Sequence, residues 1–233
     1  GSISVAAHAP TSGVVTAIAP ARLAHPSGLS ELAVTIEPDG EDRWIERLPF
    51  DWEHAEPRAV REYLRDMGVV GLGGAVFPSH LKLSDKGKVH TLIVNGAECE
   101  PYITCDDRLM REHAEGILAG TRIVRHLLGA REVLIGIEDN KPEAAATMRA
   151  AIKASDMQAE VVVVPTLYPS GAAKQLINLL TGTAVPSGVR STDMGLQCFN
   201  VGTLYAIWRA LEFGEPAISR VVTMQAAAPS FWP

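Results

Sequence analysis

Three glycines and a lysine in one short segment have the residue types and spacing to hold an anion. Gly71, Gly73 and Gly74 lie in the run GLGGAVFPSHLK, which ends at Lys82. Glycine adopts backbone conformations that other residues avoid and lets a ligand approach the main chain closely. Successive backbone N–H groups in such a loop form a concave anion site, to which a helix N-terminus and the lysine would add positive charge. The segment predicts a site for a phosphate-bearing cofactor, with a purely structural turn as the alternative.

The spacing of this segment differs from those of the two best-known phosphate-binding loops. Because no Ser or Thr follows Lys82, the segment is not a G-x-x-x-x-G-K-[ST] loop. It also lacks the third glycine of a G-x-G-x-x-G dinucleotide-binding turn. A nucleotide triphosphatase and an ordinary Rossmann dehydrogenase are therefore disfavoured.

A second polar cluster begins where a predicted buried strand ends. Asn95, Glu98 and Glu100 offer an amide and two carboxylates that can accept hydrogen bonds from hydroxyls and ring N–H groups. In a parallel sheet, ligands collect at the carboxyl ends of the strands. The alternative is a solvated acidic turn, and we expect the nearby Asp106 and Asp107 to be cap or first-turn residues of the next helix.

Two later loops are placed in the same way. Tyr168 and Gly171 lie where a predicted strand is followed by a helix, and Asn200 and Thr203 lie at the start of the last predicted helix. An aromatic hydroxyl, a helix N-terminus and an amide could each contact a flat, polar heterocycle. For Tyr168 the alternative is a place in the core.

Alternating helices and strands must position these loops. The patterns predict helices over 56–67, 107–128, 141–155, 171–180 and 201–213, and strands over 91–95, 132–137 and 160–164. Gly129 and Gly214 are placed to end two of the helices. Such alternation predicts an α/β fold, with a mostly parallel sheet and helices on both of its faces.

The part of the chain before these elements has a different composition. Residues 3–40 carry few charges and contain short β-like runs separated by turn signals, so we expect a partial small β module there. Residues 41–56 are predicted to be a linker that packs on the α/β domain of residues 57–224. We interpret residues 1–2 as a vector remnant and residues 225–233 as a tail.

Composition and charge exclude several classes of function. The 233 residues are 47% hydrophobic, enough for a sizeable core, and the net charge of −6 argues against a nucleic-acid-binding surface. No apolar run approaches the roughly 20 residues that cross a bilayer. The three cysteines form no C-x-x-C pair, which suits a reducing compartment and makes an iron–sulfur cluster unexpected in this chain.

Several separated segments together resemble one protein family. They occur in the family's order, at residues 71–78, 95–104, 137–142, 168–171 and 200–203. On these segments the chain, from about His8 to Thr223, closely resembles RnfC, the family of C subunits of the Rnf ion-translocating electron-transport complex. That family is related to the NADH-oxidising flavoprotein subunit of respiratory complex I.

The resemblance implies non-covalent FMN as cofactor and NADH as hydride donor. Carried over by position, the residues that would hold FMN are Gly71, Gly73, Gly74, Lys82, Asn95, Glu98, Tyr168, Gly171, Asn200 and Thr203. Phe77 and Glu100 would face the pyridine nucleotide. Hydride transfer to a flavin depends on stacking and orientation, so we expect no catalytic acid or base and no metal ligand.

The resemblance also implies surroundings that this chain lacks. Members of the family are longer, with an earlier β segment and a C-terminal ferredoxin-like region that carries 4Fe-4S clusters. Residues 3–40 resemble half of their lipoyl-like (barrel-sandwich) module. The implied role is electron input to a membrane-associated complex, with other Rnf subunits as partners and a peripheral place on the cytoplasmic face of the bacterial inner membrane.

The chain departs from the related proteins in one place, and two alternatives stay open. Complex I relatives carry two acidic residues near the nicotinamide, where this chain has Ala172 and Ala173. The alternatives are a non-catalytic flavin- or nucleotide-binding scaffold subunit and a cobalamin-reductase-like flavoprotein, whose family shares the glycine loop and the run at 95–101. The residues at 103–110 favour RnfC over the second alternative.

Overall fold

The computed structural model describes residues 3–23, 27–84 and 88–224. Residues 1–2 and 225–233, which the sequence predicts to be a vector remnant and a tail, lie outside the described residues. The described strands form a two-stranded antiparallel hairpin and a four-stranded parallel sheet. The predicted α/β fold with a preceding β segment is confirmed.

From the first helix onward the chain alternates between helices and parallel strands. In chain order they are β1 (Gly13–Arg22), β2 (Ser30–Pro38), α1 (Pro57–Asp66), α2 (Ser79–Lys82), β3 (Thr91–Gly96), α3 (Cys105–Glu112), α4 (Ala114–Leu128), β4 (Glu132–Glu138), α5 (Pro142–Ala154), β5 (Glu160–Val164), α6 (Ala173–Thr181), β6 (Leu196–Asn200) and α7 (Val201–Phe213). A short 3-10 turn, Ser191–Met194, precedes β6. Left-handed glycines end α4 and α7 at the two positions that the sequence predicted.

Two predictions about the elements were wrong. The single helix predicted over 107–128 is two helices, because His113, with φ −132° and ψ 34°, interrupts the helical backbone between α3 and α4. The apolar spacing continues across the break, so periodicity alone does not reveal it. Strand β6 was not predicted, because its five residues are mostly buried and too few to show a period.

The order of the strands creates a crevice. The sheet runs β5–β4–β3–β6, so the chain moves outward from β3 through β4 to β5 and then crosses to β6 on the other side of β3. Such a reversal is the place where open α/β sheets bind ligands, outside the carboxyl ends of the strands. Asn95 and Asn200 are register partners at those ends of β3 and β6.

Both faces of the parallel sheet are covered by helices. On one face Val94 and Ile135 pack in a cluster with buried residues of α4 and α7. On the other face Ile93 and Leu134 pack with residues of α6. The prediction of helices on both faces is therefore confirmed, and the sheet lies between two apolar layers.

The residues before α1 contact the sheet domain at a few points. The Phe50 N–H donates to the Leu211 carbonyl of α7 at 2.7 Å, and the Trp52 indole donates to Glu212 at 3.1 Å. The strands of the hairpin, in contrast, expose most of their side chains, including Ile18. Among the described residues, no helix combines the length and the apolarity that crossing a bilayer requires.

Candidate functional site

A cleft of about 350 Å³ lies at the carboxyl ends of β3 and β6. Ten of the predicted site residues line it: Gly71, Gly73, Phe77, Lys82, Asn95, Glu100, Tyr168, Gly171, Asn200 and Thr203. The fold therefore brings together segments that are up to about 130 residues apart in sequence, because β3, β5 and β6 end at the same edge of the sheet and the glycine loop after α1 is bonded to α7. Gly74 and Glu98 do not line the cleft.

The glycine loop is fixed at the mouth of this cleft by hydrogen bonds at both ends. The Gly71 N–H donates to the Phe77 carbonyl at 2.8 Å, and the Leu72 N–H donates to the Thr203 hydroxyl oxygen of α7 at 2.9 Å. A Cβ on Gly73 would lie 3.1 Å from the Cβ of Asn200. Glycine at this position lets the loop pack directly against the N-terminus of α7.

Lys82 supplies positive charge to the cleft. Its Nζ donates to the Cys198 carbonyl of β6 and lies 4.3 Å from the centroid of the Phe199 ring. Burial lowers the pKa of Lys82. In the part of the chain that the structure describes, no carboxylate pairs with it, so the ammonium group remains available to an anionic ligand.

The loops after β3 and β5 are tied together across the cleft. The Asn95 amide Nδ2 donates to the Gly171 carbonyl at 2.9 Å, and its Oδ1 accepts from the Ala97 N–H at 3.0 Å. The Gly171 N–H donates to the Cys99 sulfur at 3.3 Å. A Cβ on Gly171 would lie 2.8 Å from the Ala97 carbonyl oxygen, so only glycine permits this approach.

Glu98 lies elsewhere than its predicted place on the polar edge of the cleft. Its buried carboxylate accepts from the backbone N–H groups of Asp106 and Asp107, both at 2.8 Å, and from the Cys105 thiol at 3.2 Å. These groups belong to the first turn of α3, whose free N–H donors need an acceptor. Glu98 therefore caps α3 from the preceding loop, and both of its carboxylate oxygens accept hydrogen bonds there.

Glu98, Cys105 and Asp106 also place potential metal-ligand atoms within 4.8 Å of one another. Both Glu98 oxygens already hold backbone N–H groups of α3. The geometry of a helix cap accounts for this cluster without an ion.

Asp106 and Asn200 connect α3 to the start of α7. Asn200 caps α7, because its Oδ1 accepts from the Gly202 N–H at 2.9 Å and the Thr203 N–H at 3.3 Å. Its Nδ2 donates to Asp106 Oδ2 at 2.6 Å. Burial, and secondly the negative charge of Glu98, raise the pKa of Asp106 to about 7. The predicted first-turn position of Asp106 is confirmed, but no sequence pattern indicated its contact with Asn200.

Two aromatic side chains form the rim of the cleft. Phe77 is 43% exposed and Tyr168 is 69% exposed, so Tyr168 is not part of the core. Glu100 is also exposed beside them. Exposed aromatic rings at the mouth of a polar cleft suit the stacking of a flat, conjugated ligand.

Two cysteines that were not predicted to be site residues belong to the cleft. Cys99 and Cys198 both line it, and neither forms a disulfide. Burial raises the pKa of both thiols, so they are uncharged near neutral pH. Cys99 lies within the polar run after β3, which was the available signal, whereas Cys198 lies on the strand that was not predicted.

Comparison with known proteins agrees with this geometry. Residues 64–209 match the Nuo51 FMN-binding domain family. The C subunit of the ion-translocating oxidoreductase complex from Yersinia pestis bv. Antiqua is 52% identical over 98% of this chain, and that of Salmonella gallinarum is 55% identical over 96%. The matches cover 38% and 33% of those two proteins, so the chain spans about a third of the length of these curated relatives.

Two solved structures share the fold. A chain of an NAD+-reducing NiFe hydrogenase in its air-oxidized state is 25% identical, with a TM-score of 0.55, over 67% of this chain and 30% of that chain. The same hydrogenase in its H2-reduced state also has a TM-score of 0.55 and shows the same fold. The chain belongs to the Nuo51 FMN-binding domain family and is a homologue of the C subunits of ion-translocating oxidoreductase complexes.

Proposed function

We propose that this chain is the electron-input module of an ion-translocating oxidoreductase complex, and that it oxidises NADH by hydride transfer to non-covalent FMN. The observation that carries the proposal is the cleft at the ends of β3 and β6, which joins a glycine loop, a partly buried lysine and two amides in a member of an FMN-binding family.

The residues of the cleft fit FMN by their chemistry. The phosphate needs backbone N–H groups and a cation, which the glycine loop and Lys82 offer. The polar edge of the flavin ring needs donors and acceptors, which Asn95 and Asn200 offer. The ring faces need apolar or aromatic contacts, for which Phe77 and Tyr168 are placed at the rim.

FMN, when bound, supplies the hydride-accepting chemistry that no side chain has. The residues of this chain then have the tasks of binding and orientation. Phe77 and Glu100 are proposed to contact the pyridine nucleotide, with the ring of Phe77 as a stacking surface. In this proposal no side chain would act as a catalytic acid or base, because hydride transfer between a nicotinamide and a flavin depends on the stacking and orientation of the two rings.

We propose that the rest of the electron path lies in regions of the longer relatives outside the matched part. The relatives are about three times as long as the matched part. We propose that 4Fe-4S clusters in a C-terminal region take the electrons from FMN and that other Rnf subunits are the partners. The proposed location is the cytoplasmic face of the bacterial inner membrane, as a peripheral component.

Titration with FMN tests the cofactor assignment. Quenching of flavin fluorescence gives the Kd of the wild-type chain, of Lys82→Met and of the matched control Lys153→Met, which removes an equal charge from an exposed position on α5. Loss of a charge-assisted contact to phosphate predicts an affinity about ten- to a hundredfold lower for Lys82→Met alone. A wild-type chain without affinity for FMN would overturn the proposal. Equal affinities of all three proteins would place the phosphate elsewhere.

Anaerobic reduction tests the activity. NADH should abolish the visible absorption of the bound FMN, and dithionite, which reduces any accessible flavin, gives the reference for complete reduction. A second candidate, a flavin-binding scaffold without turnover, is favoured by Ala172 and Ala173, which line the cleft where complex I relatives have acidic residues. Reduction by dithionite but not by NADH would support the scaffold and contradict the NADH assignment.

A further inference from the structure

Asp106 is a carboxylate next to the cleft that the proposed function does not use. It lies in the first turn of α3 and lines a neighbouring cavity of about 240 Å³. Its Oδ2 accepts from the Nδ2 of Asn200 at 2.6 Å. Because Asn200 lines the cleft, this hydrogen bond connects Asp106 to it.

The Asn200 amide is held in one orientation from both sides. Its Oδ1 accepts from the N–H groups of Gly202 and Thr203, while its Nδ2 donates to Asp106. A flipped amide would direct its oxygen at the carboxylate and its NH2 group at the two N–H donors, so both contacts would become repulsive. An ionised Asp106 therefore fixes which end of the amide is the donor.

Asn200 retains a donor for a ligand. Its Nδ2 carries two hydrogens, of which one is used by Asp106, and the described residues offer no partner for the other. An ionised carboxylate can only accept hydrogen bonds, whereas a protonated carboxyl group can also donate one to the oxygen of a flipped amide. Because Asn200 lines the cleft, the ionised carboxylate keeps this hydrogen, and not the amide oxygen, available to a ligand.

We propose that Asp106 is a positioning residue of the cofactor site, whose carboxylate orients Asn200 so that the free Nδ2 hydrogen is donated to an oxygen or nitrogen acceptor of the flavin. The orientation of Asn200 also bears on the glycine loop, because Asn200 caps α7 and Thr203 of α7 accepts from the Leu72 N–H. This inference rests on the proposed function, since it concerns the same site.

The surroundings of Asp106 bring its ionisation into the neutral pH range. Burial and the charges of Glu98 and Glu100 raise its pKa, while the hydrogen bond from Asn200 and the charge of Arg220 lower it. The other charged or titratable residues that line the neighbouring cavity are Cys105, His113, Tyr205 and Arg209. With burial as the largest cause, the pKa of Asp106 is raised to about 7. The anion is therefore the majority form only above that pH, and the cofactor affinity should rise as Asp106 ionises.

The test compares the Kd for FMN of the wild-type chain, Asp106→Asn and the control Asp156→Asn over a pH series. Asparagine keeps the acceptor oxygen for Asn200 but cannot ionise, and Asp156 is an exposed residue that changes the net charge equally. The ratio of the Asp106→Asn Kd to the wild-type Kd cancels the titration of the FMN phosphate. We expect this ratio to be close to unity near pH 6 and to reach about five- to tenfold near pH 8, because a charge-assisted hydrogen bond is roughly twice as strong as a neutral one. Asp156→Asn should follow the wild type throughout.

Each other outcome has a definite interpretation. A ratio that stays constant with pH, or one near unity at every pH, would overturn the role of Asp106 while leaving the FMN assignment intact. Absence of FMN binding by the wild type itself would overturn both. Unfolding curves of Asp106→Asn without FMN, at the same pH values, show whether the variant is folded where its affinity for FMN is measured.

Discussion

Replacement of Glu98 is expected to destabilise the folded chain without removing a contact to the cofactor. Glu98→Ala deletes the acceptor for two N–H groups of α3, while Glu98→Gln keeps one acceptor oxygen and removes the charge. Both hydrogen bonds are 2.8 Å long, and the carboxylate is buried. The variants therefore separate the helix-capping role that the structure shows from the cofactor contact that the sequence predicted.

The size of the effect follows from these two bonds. A hydrogen bond to a charged group contributes about 1.5–3 kcal/mol, so Glu98→Gln should lower the free energy of unfolding by about that amount and Glu98→Ala by about 3–5 kcal/mol. Removal of the Glu98 charge also relieves its repulsion with Asp106. We therefore expect losses in the free energy of unfolding toward the lower ends of these ranges. In a chain of this size, each kcal/mol corresponds to about 2–4 °C in Tm.

The assay is urea unfolding followed by tryptophan fluorescence, to which the buried Trp52 contributes. Glu100→Gln is the matched control, because Glu100 is an exposed carboxylate of the same loop that does not hold the α3 amides. We expect its free energy of unfolding to stay within about 0.5 kcal/mol of the wild type. The FMN affinity of Glu98→Gln, measured where the protein is folded, should change much less than that of Lys82→Met.

The opposite pattern would refute this reasoning. If Glu98→Gln were as stable as the wild type but bound FMN at least tenfold more weakly, Glu98 would contact the cofactor and the capping interpretation would be wrong. Equal destabilisation by Glu98→Gln and Glu100→Gln would show that loss of charge in the loop, rather than loss of the cap, is responsible.

Three further substitutions have expected effects. Gly120→Ala places a Cβ 1.9 Å from the Leu204 carbonyl oxygen, so α4 and α7 must separate, and we expect a loss of about 3 kcal/mol or more in urea unfolding. In the folded chain the pKa of Asp106 is raised from 3.8 to about 7, so folding favours the protonated carboxyl group. The stability that this group contributes is fully present below pH 3.8 and is lost as the pH rises through about 7. Asp106→Asn removes this pH dependence. In unfolding curves without FMN, the free energy of unfolding of the variant relative to the wild type should rise with pH by at most about 4 kcal/mol. A difference in free energy that does not change with pH would contradict the assigned pKa. Gly171→Ala places a Cβ 2.8 Å from the Ala97 carbonyl oxygen. We expect this contact to displace the loop after β5 and to weaken FMN binding. An unchanged Kd for FMN would show that this loop does not shape the cofactor site.

The sequence was sufficient to predict the elements whose signals are local. Strand β5 and helix α7 have the bounds that were expected, and the apolar runs of β3 and β4 were recognised to within a residue or two. Asn200 was identified as a site candidate because it lies at the start of the last predicted helix, and Asn95 because a parallel sheet directs the carboxyl ends of its strands to one edge. That rule requires only the order of the elements, which the sequence contains.

The tertiary structure alone decided which partner each polar group has. Glu98 and Glu100 look equivalent in sequence, but Glu98 reaches the N-terminus of α3 and Glu100 stays exposed in the cleft. Asp106 meets Asn200 although 94 residues separate them, because the chain crosses from β5 over the sheet to place β6 beside β3. Periodicity and turn composition are properties of neighbouring residues, whereas hydrogen-bond partners and pKa shifts depend on groups that come close only when the sheet is assembled. The sequence therefore determined the α/β elements and the loops that could bind a cofactor, and the assembled sheet determined which side chains of those loops face the cleft.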